Sequence, residues 1–241
     1  MFDHVDITVS DLAASRAFYQ EALGLPTVEG EWMEWGDFGI QAADEEHGVT
    51  RNLHVGFGVE ERGAVDAWWM RLTEAGYESD GEPGPRPQYS ERYYGAFVLD
   101  PDGNSVEAVH HETSRAGEID HLWLRTGDVA AAKRFYETVA PVVGITLRHD
   151  SADRVQFSDG RGSFSFVAGE EPTRNVHLAF GVPDFETVQR FHDAATAAGY
   201  HDNGPAGERP QYHPGYYGAF VLDPDGHNLE AVFHDRSPST R

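Results

Sequence analysis

The chain has 241 residues, enough for one large domain or two small ones, and its 39% hydrophobic and 12% aromatic content is typical of globular proteins. Its 41 acidic and 18 basic residues give a formal net charge of −23, which would repel nucleic-acid phosphates and anionic membranes. Because cysteine is absent, disulfides, thiolate metal sites and a thiol nucleophile are excluded, and any metal must be held by nitrogen and oxygen.

Hydrophobic periodicity and turn residues predict alternating strands and helices along the first half of the chain. The predicted elements are, in chain order, a strand at Val5–Val9, a helix capped by Ser10 or Asp11 and ending at Gly24, strands at Glu31–Trp35 and Phe38–Ala42, a strand at Leu53–Phe57, a helix ending at Gly76, and strands at Gly95–Leu99 and Ser105–Val109. The last two strands are joined by Asp100-Pro-Asp-Gly103, a sequence suited to a tight turn.

The second half of the chain repeats the first. The matching segments are Tyr93–Gly103 with Tyr216–Gly226, Arg86–Tyr89 with Arg209–Tyr212, Asn52 with Asn175, and Asp3-His4 with Asp120-His121. Each copy is predicted to hold two βαβββ units, so the chain has four, and helices on one side of a curved sheet make an α+β fold. We expect domain 1 at residues 1–113 and domain 2 at 117–236.

Polar residues within predicted strands are candidate metal ligands. In copy one these are His4, His54 and Glu107, and their counterparts in copy two are His121, His177 and Glu230. Two imidazoles and one carboxylate from different strands form a facial set that leaves coordination positions for substrate or dioxygen. A single strand histidine is usually a hydrogen-bonded core residue, but recurrence of all three in register favours metal. We therefore predict one site in each copy, best suited to Fe²⁺, with Zn²⁺, Mn²⁺ and Ni²⁺ as alternatives.

Other repeated polar residues are candidates for catalysis. His111 and His234 follow the two glutamates by four residues and are predicted to move protons or to support the ligands, unless they are solvent histidines at a strand end. Tyr94 and Tyr217 alternate with apolar neighbours, so they are predicted either to donate a phenolic proton or to pack in the core.

A Pro- and Gly-rich loop in each copy is a candidate for substrate binding. It carries Arg86 and Tyr89 with Gln88 in copy one, and Arg209 and Tyr212 with Gln211 in copy two. These side chains are predicted either to hold an anionic or phenolic substrate or to pin the loop.

The sequence excludes several enzyme classes and predicts the cellular setting. It contains no nucleophile elbow, phosphate loop or dinucleotide-binding glycine motif. The first residues lack a secretory pattern and no apolar run is long enough to span a membrane, so we expect a cytoplasmic protein. We expect a small-molecule substrate, no nucleic acid or membrane partner, and a monomer or homodimer.

Together these residues resemble the vicinal oxygen chelate superfamily of glyoxalase I, extradiol dioxygenases, and fosfomycin- and bleomycin-resistance proteins. The resemblance covers Phe2–His111 and Ile119–His234, and its motifs are the paired histidines and Asp-Pro-Asp-Gly before Glu107 and Glu230. It implies two tandem glyoxalase-like domains, with a divalent metal between paired βαβββ units that activates a substrate through neighbouring oxygens.

Departures from individual members narrow the function that the resemblance implies. Glyoxalase I resembles this chain but adds a carboxylate from the first unit's last strand, where Phe38–Ala42 and Gly162–Ala168 have none. Extradiol dioxygenases carry a tyrosine where this chain has Phe97 and Phe220. Bleomycin-resistance proteins bind their ligand without metal, so the two complete sets of candidate ligands in this chain count against that role. We expect a dioxygenase-like enzyme acting on a small oxygenated substrate, with a glyoxalase-type lyase or isomerase, or a drug-sequestering protein, as alternatives.

Overall fold

The computed structural model describes residues 1–45 and 47–235, so residue 236, the last of the expected second domain, lies outside the described residues. The first copy forms β1 (Phe2–Val9), α1 (Leu12–Leu23), β2 (Trp32–Trp35), β3 (Phe38–Ala42), β4 (Leu53–Gly58), α2 (Arg62–Glu74), β5 (Ser79–Pro85), β6 (Tyr94–Leu99) and β7 (Ser105–His110). The second forms β8 (Ile119–Thr126), α3 (Val129–Val143), β9 (Thr146–Asp150), β10 (Arg154–Ser158), β11 (Ser163–Ala168), β12 (Val176–Gly181), α4 (Phe185–Ala197), β13 (His201–Glu208), β14 (Tyr216–Leu222) and β15 (Asn228–His234).

The predicted α+β fold is confirmed, with its strands in two sheets. One sheet has the strand order β13-β14-β15-β12-β1-β3-β2, and the other β5-β6-β7-β4-β8-β11-β10-β9. Strands of the two copies meet within each sheet, because β1 pairs antiparallel with β12 and β4 pairs antiparallel with β8. Each sheet therefore combines the first unit of one copy with the second unit of the other.

Two-residue alternation explains which sheet face is buried. In β7, Val106 and Ala108 belong to a single hydrophobic core that includes residues of both copies. The helices pack on this side, with α2 against β5, β6 and β7, and α4 against β13, β14 and β15. Between the apolar positions, Glu107 points to the other face and lines a cavity.

Local interactions fix the ends of the elements that lead to this cavity. The Asp11 carboxylate caps α1 by accepting hydrogen bonds from the amides of Ala13 and Ala14. The predicted tight turn before Glu107 is built on Asp100, which accepts hydrogen bonds from the Asp102 and Asn104 amides and from the Tyr19 hydroxyl. Gly103 has φ of +83°, a conformation that favours glycine.

The two copies differ after their first helix. In copy two this segment forms the full strand β9, which pairs with β10. In copy one the only pairing there, among the described residues, is an isolated bridge between Val28 and Glu34. The first unit is therefore βαββ, one strand short of the predicted βαβββ pattern. Among the described residues, no helix has the length and apolar character needed to cross a membrane.

Candidate metal centres

The first candidate centre lies where β4, β7 and β8 run side by side. The Nε2 atoms of His54 and His121 are 3.0 Å apart, and the Oε2 atom of Glu107 lies 3.1 Å from the first and 3.2 Å from the second. These three residues line a cavity of about 770 Å³, which we call cavity 1.

The second centre is built in the same way from β1, β12 and β15. The Nε2 atoms of His4 and His177 are 3.1 Å apart, and the Oε2 atom of Glu230 lies 3.1 Å from His177 and 3.7 Å from His4. Asp6 adds a second carboxylate, with Oδ2 3.8 Å from His4 Nε2. The centre opens into a cavity of about 880 Å³, cavity 2.

The structure corrects the predicted grouping of the ligands. All six predicted residues converge in two sets of three, but neither set comes from a single copy. His121 of copy two joins His54 and Glu107, and His4 of copy one joins His177 and Glu230. The physical reason is the antiparallel pairing of β4 with β8 and of β1 with β12, which places each first-unit histidine beside the second unit of the other copy.

The geometry of the first centre fits a divalent ion. Ligand atoms about 2.1 Å from an ion and at right angles to one another lie about 3.0 Å apart, close to the distances among these three atoms. The other carboxylate oxygen, Oε1, is buried without a hydrogen-bond partner in both Glu107 and Glu230. A buried, incompletely paired carboxylate is costly, and a cation bound at Oε2 would offset the cost of burying its charge. Glycines make the space, because a Cβ at Gly95 or Gly218 would overlap these oxygens.

Acidic residues orient one histidine in each centre through its Nδ1 atom. His121 Nδ1 lies 2.9 Å from Asp120 Oδ1, and His4 Nδ1 lies 3.0 Å from Asp3 Oδ1. Burial opposes the charged imidazole, but the hydrogen bonds to Asp120 and Glu107 raise the pKa of His121 to about 10. The same kind of contact with Asp3 raises the pKa of His4 to about 9 despite burial. Each carboxylate thus turns Nε2 towards the centre, as ligand histidines require.

The predicted catalytic histidines lie behind these carboxylates. His111 Nε2 is 2.8 Å from Asp120 Oδ2, and His234 Nε2 is 3.1 Å from Asp3 Oδ1. Each therefore forms a chain of histidine, carboxylate and ligand histidine, which supports the predicted role in holding the ligands. Both also line their cavities.

The structure places the predicted tyrosines away from the cavities. The Tyr94 hydroxyl donates to Asp66 Oδ1 of α2, and Tyr217 packs against Phe185 of α4, because both tyrosines point to the helix side of the sheets. Their neighbours Tyr93 and Tyr216, which we did not predict, point to the cavities instead. Their hydroxyls donate to Glu107 Oε2 at 3.0 Å and to Glu230 Oε2 at 2.9 Å.

The predicted substrate-binding residues of the two Pro- and Gly-rich loops either hold the loop in place or line a cavity, and some do both. The Arg86 guanidinium donates to the Glu82 carbonyl at 2.7 Å and lies over the Phe97 ring, while Arg209 makes the same contacts with the Pro205 carbonyl and Phe220. Both arginines thus fix their own loops, and Arg86, together with Gln88, also lines cavity 1. Tyr89 lines cavity 1 and Tyr212 lines cavity 2, and their role in substrate binding stays a prediction.

The chain is thus a tandem repeat in which each of the two sheets carries one candidate centre of two histidines and a glutamate. Residues 1–108 and 118–231 match the Glyoxalase/Bleomycin resistance protein/Dioxygenase superfamily, and the chain belongs to this family. A search of curated proteins found no match.

Solved structures share the fold over nearly the whole chain. A V278E mutant of glyoxalase I from Zea mays superposes with a TM-score of 0.70 at 18% identity, covering 97% of this chain and 92% of that one. A putative dioxygenase from Bacillus subtilis gives a TM-score of 0.68 at 14% identity, covering 97% and 85%. At these identities the similarity establishes the fold alone.

Proposed function

We propose that the protein is a divalent-metal-dependent enzyme with two centres, each built from both copies. The observation that carries this proposal is the convergence of two Nε2 atoms and a buried Glu oxygen, repeated in both sheets. A bound divalent ion would supply Lewis acidity and, in the case of iron, redox chemistry with dioxygen.

The chain's own residues have distinct roles in this proposal. His54, Glu107 and His121 would hold one ion, and His4, His177 and Glu230 the other. Tyr93 and Tyr216 hold the carboxylates by hydrogen bonds, and burial together with the nearby carboxylate raises the pKa of each phenol, so the proton stays on oxygen. His111 and His234 position the ligand histidines through Asp120 and Asp3.

Dioxygenase-like oxidation of a small oxygenated substrate is the reaction that we propose for cavity 1. An ion held by only three protein ligands would have room for a substrate that binds through two oxygens and for dioxygen. Aromatic side chains line the approach, with Tyr89 6.0 Å from Trp123 and Phe97 5.7 Å from His54 between ring centroids. A planar oxygenated compound would pack against these rings.

A lyase or isomerase is a second candidate, and Asp6 in cavity 2 favours it. Asp6 brings a ligand atom close to those of His4 and His177, in addition to the Glu230 oxygen near the same histidines, and an added carboxylate is what the resemblance to glyoxalase I implies. Position 123, which corresponds to Asp6 in the other copy, is a tryptophan. The two centres would then support different chemistry.

Elemental analysis of purified protein tests the proposal. We expect about two equivalents of divalent metal per chain, removable by a chelator and accompanied by a loss of thermal stability. Oxygen uptake with catechols would support the dioxygenase, and turnover of the hemithioacetal of methylglyoxal would support the lyase. Protein that takes up no metal but binds a hydrophobic drug tightly would refute both and indicate sequestration.

A further inference from the structure

Each cavity has two walls. One wall has nearly the same sequence in both cavities, and the other, which we call the variable wall, differs between them. The shared wall comes from the second unit of each copy, where Tyr93–Gly103 and Tyr216–Gly226 are identical. The other wall comes from the first units, with β8, β10 and β11 at cavity 1 and β1, β2 and β3 at cavity 2. Differences between these walls determine what each cavity can bind.

The variable wall of cavity 1 carries unneutralised positive charge. Arg125 and Arg154 line the cavity, and no carboxylate lies within ion-pair distance of either guanidinium among the residues that the structure describes. The Arg154 guanidinium lies over the Trp123 ring at 5.4 Å, and its Nε atom is buried without a hydrogen-bond partner. Arg161, a further lining residue, is already paired with Asp159.

The corresponding positions of cavity 2 carry no positive charge. Phe157 pairs with Phe164 as Trp35 pairs with Phe38, so Arg154 corresponds to Trp32 and Gln156 to Glu34. By the repeat offset, Arg125 corresponds to Thr8 and Trp123 to Asp6. Among the described residues that line cavity 2 there is no arginine or lysine, and Asp6 and Glu34 stand where cavity 1 has Trp123 and Gln156. The other two acidic residues of cavity 2, Asp3 and Glu230, have their counterparts Asp120 and Glu107 in cavity 1.

We propose that cavity 1 selects a small organic anion, whose carboxylate or phosphate group is bound by Arg125 and Arg154, and that cavity 2 rejects such anions. This inference rests on the proposed function, because the substrate's remaining oxygens would face the metal centre. A guanidinium can bind a carboxylate or phosphate through two parallel hydrogen bonds, and the buried, unpartnered Arg154 Nε offers one of these donors. The acidic lining of cavity 2 would repel the same ligand.

Anion binding to metal-depleted protein tests the inference apart from the metal. Calorimetric titration with benzoate and with methyl phosphate is expected to show about one site per chain that weakens as salt is added, whereas neutral benzamide binds far more weakly. The stronger of the two anions identifies the group. Arg154→Gln is expected to weaken binding about ten- to hundred-fold and Arg125→Gln about ten-fold.

Two matched variants serve as controls. Arg16→Gln removes an exposed arginine paired with Glu29 on the surface and is expected to leave binding unchanged. Arg154→Lys keeps the charge and is expected to restore part of the affinity, which a purely structural role would not do; thermal melting checks that each variant is folded.

Several outcomes would overturn the inference. These are equal weakening in Arg16→Gln and Arg154→Gln, equal affinity for benzamide and benzoate, or a second equivalent of anion that is lost only when cavity 2 is altered. Anion binding in a protein that takes up no metal would refute the proposed function and leave cavity 1 as an anion site. Full metal content with no anion binding would refute only this inference.

Discussion

At the scale of single residues, the candidate ligands are oriented by hydrogen bonds to neighbouring side chains. Each candidate glutamate accepts a hydrogen bond from a tyrosine hydroxyl, and one histidine in each centre is hydrogen-bonded through Nδ1 to an aspartate. In metal proteins such outer partners commonly change metal affinity by about 10- to 100-fold. The adjacent tyrosines Tyr93 and Tyr94 therefore form a natural pair for experiment.

Tyr93→Phe is expected to weaken metal binding at cavity 1 about ten-fold, because Glu107 Oε2 loses the hydrogen bond that fixes its direction. Competition with a chromophoric chelator measures the change. Tyr94→Phe is the control, since its hydroxyl contacts Asp66 on the helix side. Equal metal affinities in the two variants would contradict the assignment.

Gly95→Ala is expected to remove most metal binding at cavity 1 while leaving cavity 2 intact, because the added methyl group would displace Glu107 Oε1. Metal content per chain should fall from about two to about one. Gly63→Ala, in α2, where a Cβ meets only open space and the end of Glu61, is the matched control. A Gly95→Ala protein with full metal content would show that the carboxylate does not need this space.

Strand parity explains why the sequence predicted Tyr94 and not Tyr93. Phe97 stands opposite Glu107 in the β6–β7 ladder, and residues two apart share a sheet face, so Tyr93 shares the face of the glutamate and Tyr94 does not. Counting from the predicted ligand would have identified Tyr93. The buried, unpartnered Oε1 atoms could not be inferred in this way, since they depend on packing.

At the scale of elements, alternation of apolar and polar residues predicted the regular strands well, but it did not reveal an irregular strand at a sheet edge. Phe38–Ala42 forms β3 with the predicted bounds. The edge strand β5 was not predicted, because its sequence Ser-Asp-Gly-Glu-Pro-Gly-Pro contains residues that usually exclude a strand, and its pairing with β6 shifts register twice. The sequence also could not predict whether strands pair within one copy or between the two copies. The spacing of the repeat is the same in both arrangements.

Buried threonines join the copies where the strands cross. The Thr50 hydroxyl donates to the Asn175 carbonyl at 2.8 Å, and the Thr173 hydroxyl donates to the Asn52 carbonyl at 2.7 Å. Both threonines are fully buried, and both asparagines have positive φ. These reciprocal contacts fix the two copies against each other beside β4 and β12.

Thr50→Val is expected to lower the free energy of unfolding by about 1–3 kcal/mol, because it leaves the Asn175 carbonyl and the Thr8 amide without a partner. Urea denaturation measures the change. Thr138→Val is the comparison, since the Thr138 hydroxyl donates to the Arg134 carbonyl of its own helix. Equal stability of the two variants would show that the junction contributes little.

At the scale of the whole molecule, the repeat gives two candidate centres, and each draws its candidate ligands from both copies. The second units keep nearly the same sequence, whereas the facing first units differ in charge, so one chain holds two related cavities with different linings. Neither candidate centre is formed by the residues of one copy alone, and the activity that we propose therefore requires both copies.

Metal content of paired ligand variants tests this account most directly. Combining Glu107→Ala with His121→Ala removes two ligands of one centre, so about one equivalent of metal should remain. Combining Glu107→Ala with His4→Ala damages both centres, so almost none should remain. The reverse result, with metal retained in the Glu107 and His4 pair and lost in the Glu107 and His121 pair, would contradict the account and show that each copy holds its own ion.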